Sequence, residues 1–177
     1  MKSIIAAAAP LALIAGLTTG LAAPAHADDR RCAGTIRAVT IDGDVVVPRG
    51  ATCTLIGTRV DGNVKVYRNA KLVAKGVRVG GSIQAENHRN VQVRPRWKDG
   101  RAIRPVVGGS IQLKQGGGGK IIRARVGSDI QLFSNDARFE VRRNFVEGNL
   151  QCKSNRPRPV GGGNVVQGNK EDQCRRL

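Results

Sequence analysis

Apolar residues alternate with polar residues over short spans of this chain, and glycine bounds many of the spans. Residues 107–113, Val-Gly-Gly-Ser-Ile-Gln-Leu, give the clearest example of a phrase written V-x-G-[NSD]-[VIL]-x-[VAL]. The starting positions of successive phrases differ by 19, 19, 28, 19, 20 and 20, and a period of this length indicates a solenoid. The phrase aligns at seven places, which begin at Ile41, Val60, Val79, Val107, Val126, Val146 and, degenerately, Val166.

The alternation predicts strands, because helical repeats need longer runs with apolar residues at 3.6 spacing. In residues 64–66, 111–113 and 130–132 the outer two side chains are apolar and the middle one is polar. A second short strand follows in each period, as in residues 71–74, and a third leads into the next phrase, as in residues 77–79. We therefore predict an all-β, single-domain, right-handed parallel β-helix with about 19–20 residues per coil and six to seven coils.

The glycine of each phrase predicts a corner of the coil. We expect positive φ at glycines such as Gly62, Gly81 and Gly109, since only glycine adopts it at no steric cost. The polar residue that follows, such as Asn63 or Ser82, is expected to form a local hydrogen bond in the bend.

Four cysteines fit this coil length. Cys32 and Cys53 are 21 residues apart, and Cys152 and Cys174 are 22 apart, so each pair is separated by about one coil. Stacked coils bring such residues within disulfide reach, whereas the other two pairings would require the ends of a rod to meet. We predict the disulfides Cys32–Cys53 and Cys152–Cys174, one at each end.

Residues 1–27 read as a cleaved secretory signal peptide. Lys2 precedes an apolar stretch over residues 4–21, and Ala25-His26-Ala27 has the small-x-small form of a cleavage site. The β-solenoid domain is then residues 28–177, with no transmembrane segment after cleavage. The protein is expected outside the cell or associated with the cell wall, where disulfides form.

The C-terminal run carries a resemblance. Residues 148–152 read G-N-L-Q-C, residues 155–159 read N-R-P-R-P, residues 161–164 read G-G-G-N, and residues 168–174 read G-N-K-E-D-Q-C. This ending resembles that of small secreted β-helix proteins of actinomycetes. The resemblance is specific from residue 148 onward and looser before it, where this chain is richer in arginine. It implies a right-handed β-helix and secretion, and it brings no activity.

The chain is strongly basic. Its 30 Lys and Arg outnumber 13 Asp and Glu, which gives a net charge of +17, or +16 without Lys2. Such a surface attracts polyanions, although a basic surface also serves solubility. Positions one and three before each phrase are expected to point outward and to stack into two columns of arginines along the rod. These positions hold Arg59, Arg78, Arg104, Arg123, Arg125 and Arg143.

The 28-residue interval contains an inserted loop, residues 94–105, beside this face. It includes the only tryptophan, Trp97, which could stack on a sugar ring or a base, or could cap an apolar patch. The place of Trp97 in the one long insertion favours a functional role. The insertion's further candidates for polyanion binding are Arg94, Arg96, Lys98 and Arg101.

No catalytic or metal-binding constellation stands out. Asp42 and Asp61 share a repeat position and could bind calcium, but they are interpreted as turn residues, as is Asp44. His88 is interpreted as a solvated loop residue without a partner. The outward column Lys65, Gln84, Gln112, Gln131 and Gln151 is interpreted as a hydrogen-bonded amide stack, with glycan binding as the alternative.

We therefore expect a secreted, non-catalytic protein that binds an anionic polymer, namely a wall polymer, an acidic polysaccharide or nucleic acid, without a cofactor. One alternative is a structural, self-assembling envelope protein, similar to bactofilin-type proteins in coil length only. A second alternative is an enzyme related to polysaccharide lyases. The sequence leaves the oligomeric state open.

Overall fold

The computed structural model describes residues 29–177, so the predicted signal peptide lies outside the described residues. These residues form an all-β parallel β-solenoid of about eight turns of about 19 residues, with no helix. The predicted fold class is confirmed. The turns number about eight because the strand Arg30–Arg31 lies before the first phrase and still pairs with the following turn.

Three parallel sheets form the sides of the rod, and each coil contributes one short strand to each sheet. The first sheet consists of Arg30–Arg31, Val45–Val47, Val64–Val66, Ile83–Glu86, Ile111–Lys114, Ile130–Phe133, Leu150–Lys153 and Lys170–Asp172. The second sheet consists of Thr35–Arg37, Thr52–Ile56, Lys71–Lys75, Asn90–Arg94, Gly118–Ile122, Phe139–Arg142 and Val160–Gly162. The third sheet consists of Thr40–Ile41, Arg59–Val60, Arg78–Val79, Val106–Val107, Arg125–Val126, Phe145–Val146 and Val165–Val166.

The core is a column of aliphatic side chains inside the rod. In the first sheet Ile111 and Leu113 are buried while Gln112 between them faces outward, as the alternation predicts. The same residue type stacks on itself from coil to coil, as where Ile83 pairs with Ile111 and Ile111 with Ile130. This repetition buries each apolar side chain against its equivalents in the neighbouring coils.

The glycine corner, where the third sheet turns into the first, contradicts both expectations for the phrase. Its glycines do not have positive φ, and the polar residue after each glycine bonds to the neighbouring coil instead of locally. Asp44 Oδ1, for example, accepts a hydrogen bond from the Asn63 backbone N–H at 2.6 Å. The same bond recurs at 2.6–3.2 Å along the column Asp44, Asn63, Ser82, Ser110, Asp129, Asn149 and Asn169.

The glycines of this corner are required for space. A Cβ on Gly81 would meet Asn63 Oδ1 and the backbone of Gly62, which lie in the coil below. A residue without a side chain leaves the ladder oxygen the most room to reach its donor. Ser128 takes the glycine's place in one coil, and the ladder bond there, from the Asp129 N–H to Ser110 Oγ, is the longest at 3.2 Å.

The asparagine corner, where the first sheet turns into the second, contains a second ladder inside the rod. Asn155 Nδ2 donates to the Leu132 carbonyl at 2.7 Å, and Asn155 Oδ1 accepts from the Asn135 backbone N–H at 3.2 Å. Buried side-chain amides thus satisfy backbone groups that the turn leaves unpaired. The residues just before this column adopt positive φ, namely Gly50, Asn69, Asn87, Gln115, Ser134, Ser154 and Asp172.

His88 belongs to the same corner, and the prediction that it is solvated is wrong. Its side chain is 2% exposed and packs beneath Gly116, whose missing side chain leaves room for the imidazole. The ring lies edge-on to Phe139 of the coil beyond, with centroids 6.0 Å apart. Burial lowers the pKa of His88 to about 4, although nearby backbone groups of Gly117 and Ala85 oppose this shift.

Both predicted disulfides are confirmed. Cys32–Cys53 has a Cα–Cα distance of 5.4 Å and Cys152–Cys174 one of 5.2 Å. All four cysteines are buried, and each bridge ties an end of the rod to the adjacent coil. The bridges oppose fraying where a solenoid has fewest neighbours, and they are typical of proteins that fold in an oxidising, extracellular setting.

Candidate functional site

The hairpin corner, where the second sheet turns into the third, varies from coil to coil. Most coils turn here through one residue with positive φ, namely Ala38, Gly57, Gly76, Arg123, Arg143 and Gly163. Arg123 and Arg143, which lie three positions before their phrases and are counted with the third strand, occupy this bend and not a third-sheet strand. Because Arg94 pairs with Lys75, the corner position in the fourth described turn falls to Pro95.

Pro95 explains why the repeat is interrupted at this point. A proline ring holds φ at a negative value, so Pro95 cannot adopt the left-handed conformation by which the other coils turn. The chain leaves the rod instead as an antiparallel pair of strands, Arg96–Lys98 and Arg101–Ile103, and returns at Pro105. The predicted loop is therefore a β-hairpin whose nine residues, 96–104, account for the excess of the 28-residue interval over 19.

The hairpin is regular and well supported. Asp99 and Gly100 both have positive φ, as expected for a two-residue type I′ turn. Trp97 pairs with Ala102, and Lys98 pairs with Arg101 at the exposed tip. The candidates in the insertion are thus held by a defined backbone.

The arginines of the third sheet form an interrupted column. Arg59 pairs in register with Arg78, but Val106 separates Arg78 from Arg125. Internal partners also occupy some of them. Arg59 Nε lies 2.7 Å from Asp61 Oδ1, and Arg125 Nη2 lies 2.7 Å from Glu147 Oε1. Arg125 also stacks on the Phe145 ring at 5.1 Å, so this column offers less free charge than its sequence suggests.

The hairpin divides the basic face into two pockets. On one side Arg96 lies across the bends at Gly57 and Gly76, where its side chain occupies the space that a Cβ would fill. Its Nε is buried without a hydrogen-bond acceptor among residues 29–177. This Arg96 pocket is lined by Gly57, Thr58, Arg59, Gly76, Val77, Arg78, Arg96, Ile103, Arg104 and Val106.

The second pocket brings four arginines together around the tryptophan. Trp97 is 67% exposed, the highest value for a large hydrophobic residue in the described part of the chain. Within that part, Arg142 is the one pocket arginine with an acidic partner, Glu140 Oε1 at 3.3 Å. The Trp97 pocket is lined by Arg94, Pro95, Trp97, Ile122, Arg123, Arg142 and Arg143.

Sequence reasoning missed Arg142 and Ile122 as members of this site. Both lie at the outward end of second-sheet strands, where Ile122 pairs with Arg142. The sequence signal was available, because counting back from the phrase to the second strand places them in the column of Lys75 and Arg94. Counting only along the third strand overlooked the neighbouring sheet.

The first sheet presents a different groove, lined by side chains of mixed charge. Tyr67, which is 52% exposed, borders it together with Gln84 and Lys114. Above this groove the predicted amide stack is confirmed for three of its five residues, since Gln112 donates to Gln131 at 3.2 Å and Gln131 donates to Gln151 at 2.9 Å. Lys65, at the start of the predicted stack, pairs with Asp44 instead.

Two of the three aspartates considered for calcium, Asp44 and Asp61, have other partners in this structure. Asp44 accepts from Asn63 in the ladder and pairs with Lys65 Nζ at 2.6 Å. Burial alone would raise the pKa of Asp44, but these contacts hold it below its usual range. Asp61 pairs with Arg59. Across residues 29–177, no group of three or more His, Cys, Asp or Glu is arranged to hold a metal ion.

Comparison with known proteins adds no family. No family model, curated protein or solved structure matches the chain. Of what the resemblance to secreted actinomycete proteins implied, the structure shows a β-solenoid. No helix in the described part of the chain is long and apolar enough to cross a membrane.

Proposed function

We propose that the protein is a secreted, non-catalytic β-solenoid that binds an anionic polymer, outside the cell or at its surface, through the arginines beside the hairpin. The observation that carries the proposal is the Trp97 pocket. Three of its four arginines, Arg94, Arg123 and Arg143, have no acidic partner within residues 29–177. A bound polyanion would relieve their mutual repulsion and would give each guanidinium fork a pair of oxygens.

The rigid rod favours a polymeric ligand. Arg123 and Arg143 occupy equivalent corners of adjacent coils, which lie about 4.8 Å apart in a parallel sheet. Their bends are fixed by backbone hydrogen bonds to Arg142 and Gly162, so the spacing is set before a ligand arrives. Preorganised charges at a regular spacing suit a chain with regularly spaced anions.

Salt-dependent binding tests this function. The full-length mature protein is titrated with a polyuronate, a sulfated glycan and single-stranded DNA over a range of salt concentrations. We expect the logarithm of the association constant to fall linearly with the logarithm of the salt concentration for at least one of them. The double variant Arg123→Gln/Arg143→Gln should reduce the magnitude of this slope by about two, since the loss of each ionic contact reduces it by about one.

A matched control separates the pocket from bulk charge. Arg175 and Arg176 are exposed at the end of the chain, next to the disulfide-bonded Cys174. Arg175→Gln/Arg176→Gln removes the same charge and should change the affinity far less than the pocket variant. Absence of binding to all three polymers, or equal losses in both variants, would contradict the proposal.

A further inference from the structure

We infer that the Trp97 pocket binds an acidic polysaccharide, with a sugar ring stacked on Trp97 and its carboxylate or sulfate held by Arg94, Arg123 and Arg143. This inference rests on the proposed function and narrows its ligand to one class. It depends on three features of the pocket: an exposed indole, an aliphatic floor between arginines, and the half-buried guanidinium of Arg94, which has no acidic partner within residues 29–177.

The indole is held as a platform at the rim of the pocket. Trp97 lies in the middle of its strand and pairs with Ala102, so the hairpin backbone fixes its position. A ring that is 67% exposed does not contribute to the core of the rod. Tryptophan offers a large, flat, electron-rich face on which the C–H face of a sugar can stack.

The floor alternates charge with aliphatic surface. Along the second sheet Ile122 lies between Arg94 in the coil below and Arg142 in the coil above, and the two arginines are therefore about 10 Å apart. Pro95 adds a second apolar surface beside Arg94. An extended acidic polysaccharide presents the matching pattern, since apolar ring faces alternate along it with charged substituents.

Arg94 contributes a guanidinium that can bind an anion in the pocket. Its side chain is half-buried, and its Nε has no hydrogen-bond acceptor among residues 29–177. The guanidinium has no acidic partner within residues 29–177, so a carboxylate or sulfate in the pocket can bind its Nη groups. The planar fork of arginine takes such oxygens in pairs, which fixes the orientation of the sugar as well as its charge.

Nucleic acid fits this face less well. Proteins that bind single strands stack successive bases on successive aromatic side chains. In the described part of this face Trp97 is the one exposed aromatic, because the guanidinium of Arg125 covers Phe145 at 5.1 Å. The apolar residues that line the pocket with Trp97 are the aliphatic Pro95 and Ile122, and these suit the C–H faces of sugars.

The test uses Trp97 as its own probe, since the chain contains one tryptophan. The indole emission of the full mature protein is followed during titration with oligogalacturonate, a sulfated oligosaccharide and single-stranded DNA of equal charge. We expect a saturable change with one or both acidic sugars, and which of them responds distinguishes carboxylate from sulfate recognition. Because Trp97→Ala has no tryptophan, its affinity is measured by isothermal titration calorimetry alongside the unchanged protein, and it should be about tenfold weaker, equivalent to about 1.4 kcal/mol. Trp97→Phe should restore part of the loss, and Tyr67→Ala, at the exposed aromatic of the first sheet, should have no effect.

The outcomes separate this inference from the proposed function. If the sugars bind through the arginines but Trp97→Ala leaves the affinity unchanged, the stacking inference is wrong and polyanion binding stands. If DNA binds at least as tightly and with the same dependence on Trp97, the ligand class is nucleic acid and the inference is overturned. If no polyanion binds at all, the proposed function itself fails.

Discussion

The glycine corner and the hairpin corner both turn the chain from one sheet to the next. The residues of the glycine corner recur in nearly every coil, whereas those of the hairpin corner vary. At the glycine corner nearly every coil uses glycine followed by Asp, Asn or Ser, and one hydrogen-bonded ladder links all of them. At the hairpin corner the equivalent positions hold alanine, glycine, proline and arginine, and one coil opens into a hairpin.

The difference shows where each coil depends on its neighbour. A side chain in the glycine-corner ladder must meet a donor one coil away, so any change disturbs two coils. At the hairpin corner the side chains of Arg123 and Arg143 are directed toward solvent, and the backbone alone makes the turn. Repetition thus marks the positions that hold the rod together, and variation marks the surface on which a binding site could be built.

The largest expected effect comes from one substitution made at both corners. A Cβ on Gly109 would meet Ser82 Oγ and the backbone of Gly81, so Gly109→Ala should cost about 3 kcal/mol of unfolding free energy. At Gly163 a Cβ would meet only Arg143 Cγ at 3.5 Å, an ordinary contact. Gly163→Ala should therefore cost about 1 kcal/mol, which is the cost of alanine at a φ of 67°.

Urea unfolding with both disulfides intact measures this pair of variants. Ser128→Gly is the control. It places the usual glycine in the one coil whose glycine position carries a side chain, and it should not destabilise the rod. Equal losses at Gly109 and Gly163 would remove the distinction between the two corners.

At the asparagine corner a residue that departs from the repeat improves the packing of the core instead of forming a surface site. His88 replaces the small or amide residues of its column, and its ring fills the space left by Gly116. Neither ring nitrogen makes a hydrogen bond to residues 29–177. Burial without these hydrogen bonds therefore favours the neutral form of the imidazole inside the rod.

The dependence of the free energy of unfolding on pH tests whether His88 is buried in its neutral form. The pKa of His88 is about 4 in the fold and about 6.5 in the unfolded chain, so between these values the unfolded state binds a proton that the native state does not. The contribution of His88 to stability is complete above pH 6.5 and falls as the pH decreases to 4, by at most about 3 kcal/mol.

The variant His88→Asn isolates this contribution, since Asn135 and Asn155 show that the column accepts an amide. We expect the variant to be less stable at pH 7 but to lose less stability than the natural protein between pH 6.5 and pH 4. Chemical unfolding at several pH values measures the difference. Parallel pH profiles for the two proteins would show that His88 is not the titrating group.

The fold and both disulfides could be predicted from the sequence because these depend on periodicity. Buried valines and isoleucines recur every coil, and Cys32 and Cys53 are one coil apart, so counting residues is sufficient. The same counting identifies Arg94, Trp97, Arg123 and Arg143, although it does not show that they share one pocket.

The predictions that differ from the structure mostly concern contacts between neighbouring coils, which the sequence of one repeat does not reveal. The phrase predicts a turn residue at its glycine, whereas Gly81 is needed because Asn63 of the coil below occupies the space. The burial of His88 escapes prediction because its partner in packing, Gly116, lies in the next coil, beyond the inserted hairpin. Pro95 is predicted as part of a loop, although its position one residue after Arg94 is what replaces the bend by a hairpin.

The smallest effect on stability, and a large effect on binding, is expected from removal of the hairpin. Deleting residues 96–104 and replacing Pro95→Gly restores a 19-residue coil whose corner matches those at Gly57 and Gly76. Because the rod is complete without the hairpin, the free energy of unfolding should change by about 1 kcal/mol, mostly from uncovering the surface beneath Arg96 and Ile103. Affinity for polyanions should fall further than in Arg123→Gln/Arg143→Gln, since the deletion removes Trp97 together with Arg96, Lys98, Arg101 and Arg104. Loss of cooperative unfolding would show that the hairpin is part of the fold, and unchanged affinity would show that the polymer binds elsewhere on the rod.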